Sequence, residues 1–93
     1  MYNGVRVVYD PFKNRINREK HGIDFSEIEL VFVDPMAWTA EDRAHTEPRW
    51  QTIGMDGRGR VLVVAYTWRA GLIRVISARR ASPGERKRYE ENA

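Results

Sequence analysis

The stretch RVISARRASPGERKRY, Arg74 to Tyr89, reads as a strand that runs into a capped helix. Val75 and Ile76 are strand formers. Ser82 supplies an N-cap, Pro83 suits the first helical position, and Glu85, three residues after Ser82, completes a capping box. Arg74, Arg79, Arg80, Arg86, Lys87 and Arg88 crowd this one strand–helix junction. So many cationic side chains at one junction suit a site that grips phosphate.

The chain before that junction reads as a β-meander. Arg60 to Arg69 is a strand, Ala70-Gly71 turns the chain, and Leu72 to Arg80 is the strand that feeds the last helix. Upstream, Met36 to Ala40 is a short strand and Glu41 to Pro48 a polar loop holding His45. Arg49 to Met55 is a further strand, closed by the hairpin signal Asp56-Gly57-Arg58-Gly59. At the N-terminal end, Val5 to Tyr9 alternates as a first strand. Asp10 then caps a helix with Pro11 at its first position, continuing from Phe12 to His21 and stopping at Gly22. Phe12 and Ile16 are four apart and are expected to face the core. Asp24 to Glu27 repeats the capping pattern, and Phe25, Ile28, Val31 and Phe32 form an apolar stripe that Asp34-Pro35 ends. The expected class is α+β in the order β-α-α-β-β-β-β-α, as one domain over residues 1–93. The last helix, Pro83 to Asn92, has Tyr89 as its only large hydrophobic side chain and gains little from packing.

Charge is unevenly spread. Residues 1–57 carry 7 basic and 10 acidic side chains, whereas residues 58–93 carry 9 basic and 3 acidic. The C-terminal third is therefore a candidate polyanion-binding surface. Arg58, Arg60, Arg69, Arg74, Arg80, Arg86 and Arg88 are its candidate RNA contacts. A plain solvated face is the alternative. The longest apolar run, Val61 to Tyr66, falls far short of the roughly 20 residues of a membrane span. No basic-then-apolar leader pattern begins the sequence, and there are no cysteines, which together suggest the cytoplasm.

Several chemistries lack their signatures. His21 and His45 form no His-x-x-x-His pair, and no phosphate loop or dinucleotide fingerprint occurs, so neither a metal nor another cofactor is expected. Metal-free RNA cleavage needs few parts: a base for the 2′-hydroxyl, an acid for the leaving oxygen, and cations for the phosphorane. Arg79 and its neighbours offer the cations. His21, Glu85 or Tyr89 could move protons, and Lys20 could serve either role. Alternation places Arg79 and Arg80 on opposite faces of their strand, with Arg79 favoured as the phosphate ligand. Glu85 and Tyr89 share a helix face; a cap and an anchor are their plainer roles. Lys20 and His21 end a helix, where cations are favoured in any case. Trp38, Trp50 and Trp68 could stack on bases, with core packing the simpler reading.

Five blocks then carry a family resemblance. They are Lys20-His21-Gly22-Ile23-x-Phe25, Val31-Phe32-x-Asp34-Pro35, Glu47-x-Arg49 with Gly54, Tyr66-Thr67-x-Arg69, and Arg74-x-Ile76-Ser77-Ala78-Arg79-Arg80-Ala81 with Glu85-Arg86 and Tyr89. In this order and spacing the chain resembles the BrnT family of bacterial type II toxins over nearly its whole length. The resemblance implies a RelE-like fold, with two helices packed on an antiparallel sheet, and a metal-independent ribonuclease that blocks translation and growth. It also implies a BrnA antitoxin with a ribbon-helix-helix domain, a toxin–antitoxin heterotetramer, and contact with operator DNA only through that partner. Lys20, His21, Arg79, Glu85 and Tyr89 fall in matching blocks. A non-catalytic module that binds RNA or an antitoxin through the same basic face is the competing expectation.

Overall fold

Arg49–Met55 (β3), Val61–Arg69 (β4) and Leu72–Arg80 (β5) form an antiparallel meander, and strand alternation sorts their side chains onto two faces. Trp38–Asp42 (β2) pairs antiparallel with β3. Val7–Val8 (β1) pairs parallel with β5, so the sheet order is β1-β5-β4-β3-β2. The structure, a computed structural model, describes residues 6–92. The sheet is mixed, which corrects the antiparallel expectation. Alternation within a segment shows that a strand exists, but it does not orient that strand against a neighbour distant in sequence. Of the expected first strand, Val5 lies outside the described residues and only Val7 and Val8 pair.

One face of the sheet carries the main core. Leu62, Val64, Tyr66, Ile73, Val75 and Ala78 pack there against Ile23, Phe25, Ile28 and Val31. The other face is covered at one end only, where Ile53, Val61 and Val63 meet Tyr89 of the last helix, Pro83–Glu91 (α2). Among the described residues, the rest of this second face has no packed layer of apolar side chains.

The first helix, Pro11–His21 (α1), is capped by Asp10, whose side chain accepts from Phe12 N, and it ends at Gly22 with φ 71°. Its docking departs from expectation. Phe12 and Ile16 are 67% and 47% exposed, while Asn14 and Asn17 are buried. The reason is hydrogen bonding. Asn14 Oδ1 accepts from Phe25 N at 2.8 Å, and Asn14 Nδ2 donates to Asp24 Oδ1 at 2.9 Å. Asn17 Nδ2 donates to Ile23 O and Ala78 O, both at 2.9 Å, and its Oδ1 accepts from Ala78 N at 3.1 Å. β1 pairs with only Ile73 and Arg74 of β5, so the Asn17 amide stands in for a strand at Ala78.

The second expected α-helix is instead two 3-10 turns, Phe25–Glu27 and Glu29–Val33. Phe25, Ile28 and Val31 are fully buried and lie three residues apart. A three-residue period stacks all three in one line, whereas a 3.6-residue helix would fan them over about 120°. The backbone here lies close on the sheet: a Cβ at Gly54 would come within 2.8 Å of Val31 O. The strand expected at Met36 to Ala40 begins at Trp38, because Asp34 holds a turn by accepting from Met36 N and Ala37 N. The expected loop from Glu41 loses its first two residues to β2, since Glu41 and Asp42 pair with Trp50 and Arg49. β3, β5 and both hairpin turns fall where the sequence put them.

Candidate nucleic-acid interface

The junction between β5 and α2 brings Arg79 and Glu85 together. Arg79 Nη1 lies 2.7 Å from Glu85 Oε1 and Nη2 lies 2.9 Å from Oε2, a fork-to-fork pair. Glu85 also accepts from Ser82 N at 2.8 Å, while Ser82 Oγ accepts from Glu85 N at 3.2 Å, so the capping box is complete. The Arg79 hydrogen bonds, joined by those of Ser82, outweigh burial and hold the Glu85 carboxyl down at about 2. Arg79 is held charged by the same pair. This junction fixes a guanidinium on the sheet face that α2 only partly covers, because Arg79 pairs with Val63 across the strands.

Tyr89 sits one turn beyond Glu85, and its hydroxyl donates to Asp34 Oδ2. Burial, reinforced by the Asp34 hydrogen bond and charge, pushes the phenol up to about 12. Burial alone would raise the Asp34 carboxyl. Donors from Tyr89, Met55 N and Met36 N outweigh it and hold that carboxyl below its usual range. Tyr89 therefore anchors α2 to the segment that leads into β2.

Lys20 and His21 lie elsewhere along the same edge. With Lys13, Ile16, Asn17, Ile76 and Ser77 they line a shallow cavity of about 190 Å³ between α1 and β5. Ser77 is two residues before Arg79 on the same face of β5, roughly 7 Å along the strand. The structure thus places Lys20 and His21 beside Ser77 and joins Arg79 to Glu85. No hydrogen bond or ion pair links the two groups.

The remaining candidate cations do not form one surface. Arg58 and Arg60 stand at the β3–β4 turn, where both face Glu27 and Arg60 lies 2.7 Å from Asp56. Arg69, at the far end of β4 and about 27 Å from that turn by strand rise, pairs with Glu47 at 3.1 Å. Arg80 lies on the opposite face from Arg79, in a cavity shared with Arg60 and Arg86. Arg86 pairs with Glu90 at 3.2 Å, and Arg88 lies 4.9 Å from the centroid of Trp38. Arg74 has no carboxylate partner among the described residues. Trp38 and Trp50 pack against the two cores, while Trp68 is half-exposed. His45, in the loop, lies 3.4 Å from Asp42.

Nothing in the sequence marked Asn17, and Asp34 and Arg49 stood in the family blocks without a role in this region. Arg49 was within reach of parity, because it shares a face with Gln51 and Ile53. The roles of Asn17 and Asp34 depend on partners 61 and 55 residues away, which no local pattern displays. Among the described residues no three His, Asp or Glu side chains come together as a metal site, and no helix is long and apolar enough to cross a membrane.

Comparison with known proteins adds two matches to this geometry. A family model described as "Ribonuclease toxin, BrnT, of type II toxin-antitoxin system" matches residues 9–85. The crystal structure of the Brucella abortus ribonuclease toxin BrnT matches with a TM-score of 0.67 at 23% identity, covering 85% of this chain and 99% of that one. No curated protein sequence matches the chain.

Proposed function

From the premise that this chain belongs to the BrnT family of ribonuclease toxins of type II toxin–antitoxin systems, we propose that it is a metal-independent endoribonuclease acting at the β5–α2 junction. The observation that supports this most is the fork-to-fork Arg79–Glu85 pair, which presets a guanidinium on a partly open sheet face beside Ser77 and the Lys20–His21 cavity.

In this reading the 2′-oxygen of a ribose attacks the adjacent phosphorus, and the 5′-oxygen leaves. The products are a 2′,3′-cyclic phosphate and a free 5′-hydroxyl. Arg79 neutralises the extra charge on the phosphorane, and Glu85 holds Arg79 in place. A carboxylate held at about 2 is a poor proton acceptor, so Glu85 serves as a positioning residue. His21 takes the 2′-proton on an imidazole nitrogen. Lys20 gives a proton to the leaving 5′-oxygen. Tyr89 holds α2, and hence Glu85, through Asp34. Arg74 and Arg80, the strand arginines without a carboxylate partner that the sequence singled out, are the favoured RNA contacts of that set.

The wider reading follows the family. The fold is RelE-like, cleavage inhibits translation and growth in the cytoplasm, and a BrnA-like antitoxin with a ribbon-helix-helix domain neutralises the toxin in a heterotetramer. Operator DNA is met only through that antitoxin.

The test is cleavage of purified, ribosome-free RNA in EDTA by the wild type, Arg79→Ala and Glu85→Gln. Expected is cleavage by the wild type, a loss of at least 100-fold in Arg79→Ala, on the order of one lost oxyanion donor, and a smaller loss in Glu85→Gln. Folded wild-type protein that binds RNA and leaves it intact would favour the non-catalytic binding module.

A further inference from the structure

We propose that Arg49, Thr67 and Arg74 form a phosphate-binding subsite on the open face of the sheet, seating the RNA backbone away from the scissile bond. The inference rests on the ribonuclease reading only for the identity of the polyanion as RNA.

The three residues lie side by side on β3, β4 and β5. Thr67 pairs with Arg74, and Arg49 stands one step beyond the Trp50–Tyr66 pair, opposite Thr67. The register puts all three on the face that carries Ser77 and Arg79, because the irregularity at Ala65/Tyr66 leaves Ile76 unpaired and shifts the alternation of β5 by one residue. Two strand spacings separate the arginine Cα atoms, roughly 10 Å, a gap that two guanidinium arms can close around one phosphate.

Their hydrogen bonding is incomplete. Thr67 is 5% exposed, yet its Oγ1 has no partner, and Arg49 Nε is likewise buried and unpartnered. Buried polar atoms are almost always satisfied, so two orphans on neighbouring residues mark hydrogen-bonding capacity that a small swing of the Arg49 and Arg74 arms would open to an acceptor. The third orphan, Arg60 Nη2, differs because it already lies 2.7 Å from Asp56 Oδ2.

Charge supports the same reading. On this face Arg69 and Arg79 have carboxylate partners, Glu47 and Glu85. Arg49 and Arg74 have none among the described residues. Asp42 is the register partner of Arg49, but its carboxylate turns to Ala44 N and His45. Two uncompensated guanidiniums and an unpaired hydroxyl match a phosphodiester, which offers only acceptors. Arg74 and Arg79 lie on the order of 15 Å apart along β5, a span that a strand of RNA crosses within a few nucleotides.

The experiment is fluorescence anisotropy of a labelled 2′-O-methyl RNA oligonucleotide, which cannot be cleaved through its 2′-oxygen. Full-length wild type, Arg49→Ala/Arg74→Ala and the charge-matched Arg15→Ala/Arg43→Ala would each be titrated across a salt series. Arg15 and Arg43 are exposed and paired with Glu19 and Glu41, so the second double variant reports general charge loss. Thr67→Val tests the hydroxyl, and circular dichroism checks folding of every variant. We expect Arg49→Ala/Arg74→Ala to weaken binding at least tenfold and to flatten the log–log salt slope by about 0.7, one single-stranded phosphate contact. Arg15→Ala/Arg43→Ala should change affinity less than threefold. Thr67→Val should weaken binding measurably while leaving the salt slope unchanged. Equal losses in the two double variants, or unaltered binding in the first, would each overturn the subsite. Cleavage of ordinary RNA, measured in parallel, separates this outcome from the fate of the ribonuclease reading.

Discussion

Tyr89 holds the C-terminal helix to the rest of the molecule through one ring and one hydroxyl. Its ring packs with Ile53, Val61 and Val63, and its hydroxyl donates to Asp34. Tyr89→Phe keeps the ring and removes a hydrogen bond to a charged acceptor. The expected cost is about 2 kcal/mol, read as a lower urea midpoint at unchanged slope. The Asp34 carboxyl should rise toward its ordinary range, because one of its three donors is gone. Cleavage per folded molecule should persist in Tyr89→Phe. A hundredfold loss would instead make the phenol a proton carrier. The same residue shows how far local pattern reaches. Tyr89 stood out in sequence as the only large apolar group on a polar helix, so its anchoring role was legible. Its acceptor was not, because Asp34 lies 55 residues earlier and stood out as a helix stop and a family-block residue, with nothing to link it to Tyr89.

At the scale of elements, signals that act within a few residues were readable. Those that depend on what an element docks against were not. The capping box at Ser82 and Glu85, the cap at Asp10, the stop at Gly22 and both hairpin turns rest on contacts within five residues. The docking face of α1 was misread, because an apolar pair at Phe12 and Ile16 outweighs two asparagines on any hydropathy scale. The helix is placed instead by amides that satisfy backbone groups, and its apolar pair faces outward. Asn17→Ala would leave Ala78 N, Ala78 O and Ile23 O without their partner. The expected destabilisation is about 1–3 kcal/mol, and Asn17→Asp should be no better, since a carboxylate cannot donate to the two carbonyls. Thermal melting of both variants checks this. An unchanged Tm in Asn17→Ala would show that water serves the β5 edge equally well. The candidate site follows the same division: the Arg79–Glu85 pair spans six residues and was within reach of sequence, whereas the Lys20–His21 cavity needs α1 set against β5.

For the whole molecule, the same carboxylates that order the elements set the pH range of the fold. Glu85 is lowered to about 2 chiefly by Arg79, and Asp24 to about 2 chiefly by Ser26 N and then Asn14. Asp34 is lowered, and so is Asp56, where Arg60 and Arg58 N outweigh burial. In each case the folded pKa lies below the unfolded one, so between the ordinary carboxylate range and about pH 2 the unfolded chain binds more protons. Stability from these groups is complete above the ordinary range and is lost as pH falls through that window. Tyr89 acts in the opposite direction. Its phenol is raised from 10.0 to about 12, so its contribution is complete below pH 10 and is lost as pH rises toward 12. Stability should therefore be flat between about pH 5 and 10 on this linkage, with a steep acid limb and a shallower alkaline one. Protonation at the acid end also strips the carboxylates that face Arg60 and Arg79 and leaves the basic C-terminal third to repel itself. Urea unfolding of the wild type and Glu85→Gln from pH 2 to 6 isolates one contributor. Glu85→Gln should be less stable at pH 6 and converge with the wild type near pH 2, because the substitution removes a group that matters only while ionised. A constant gap across the whole range would mean that the carboxylate charge does not stabilise the strand–helix junction, and that Glu85 acts there through its cap alone.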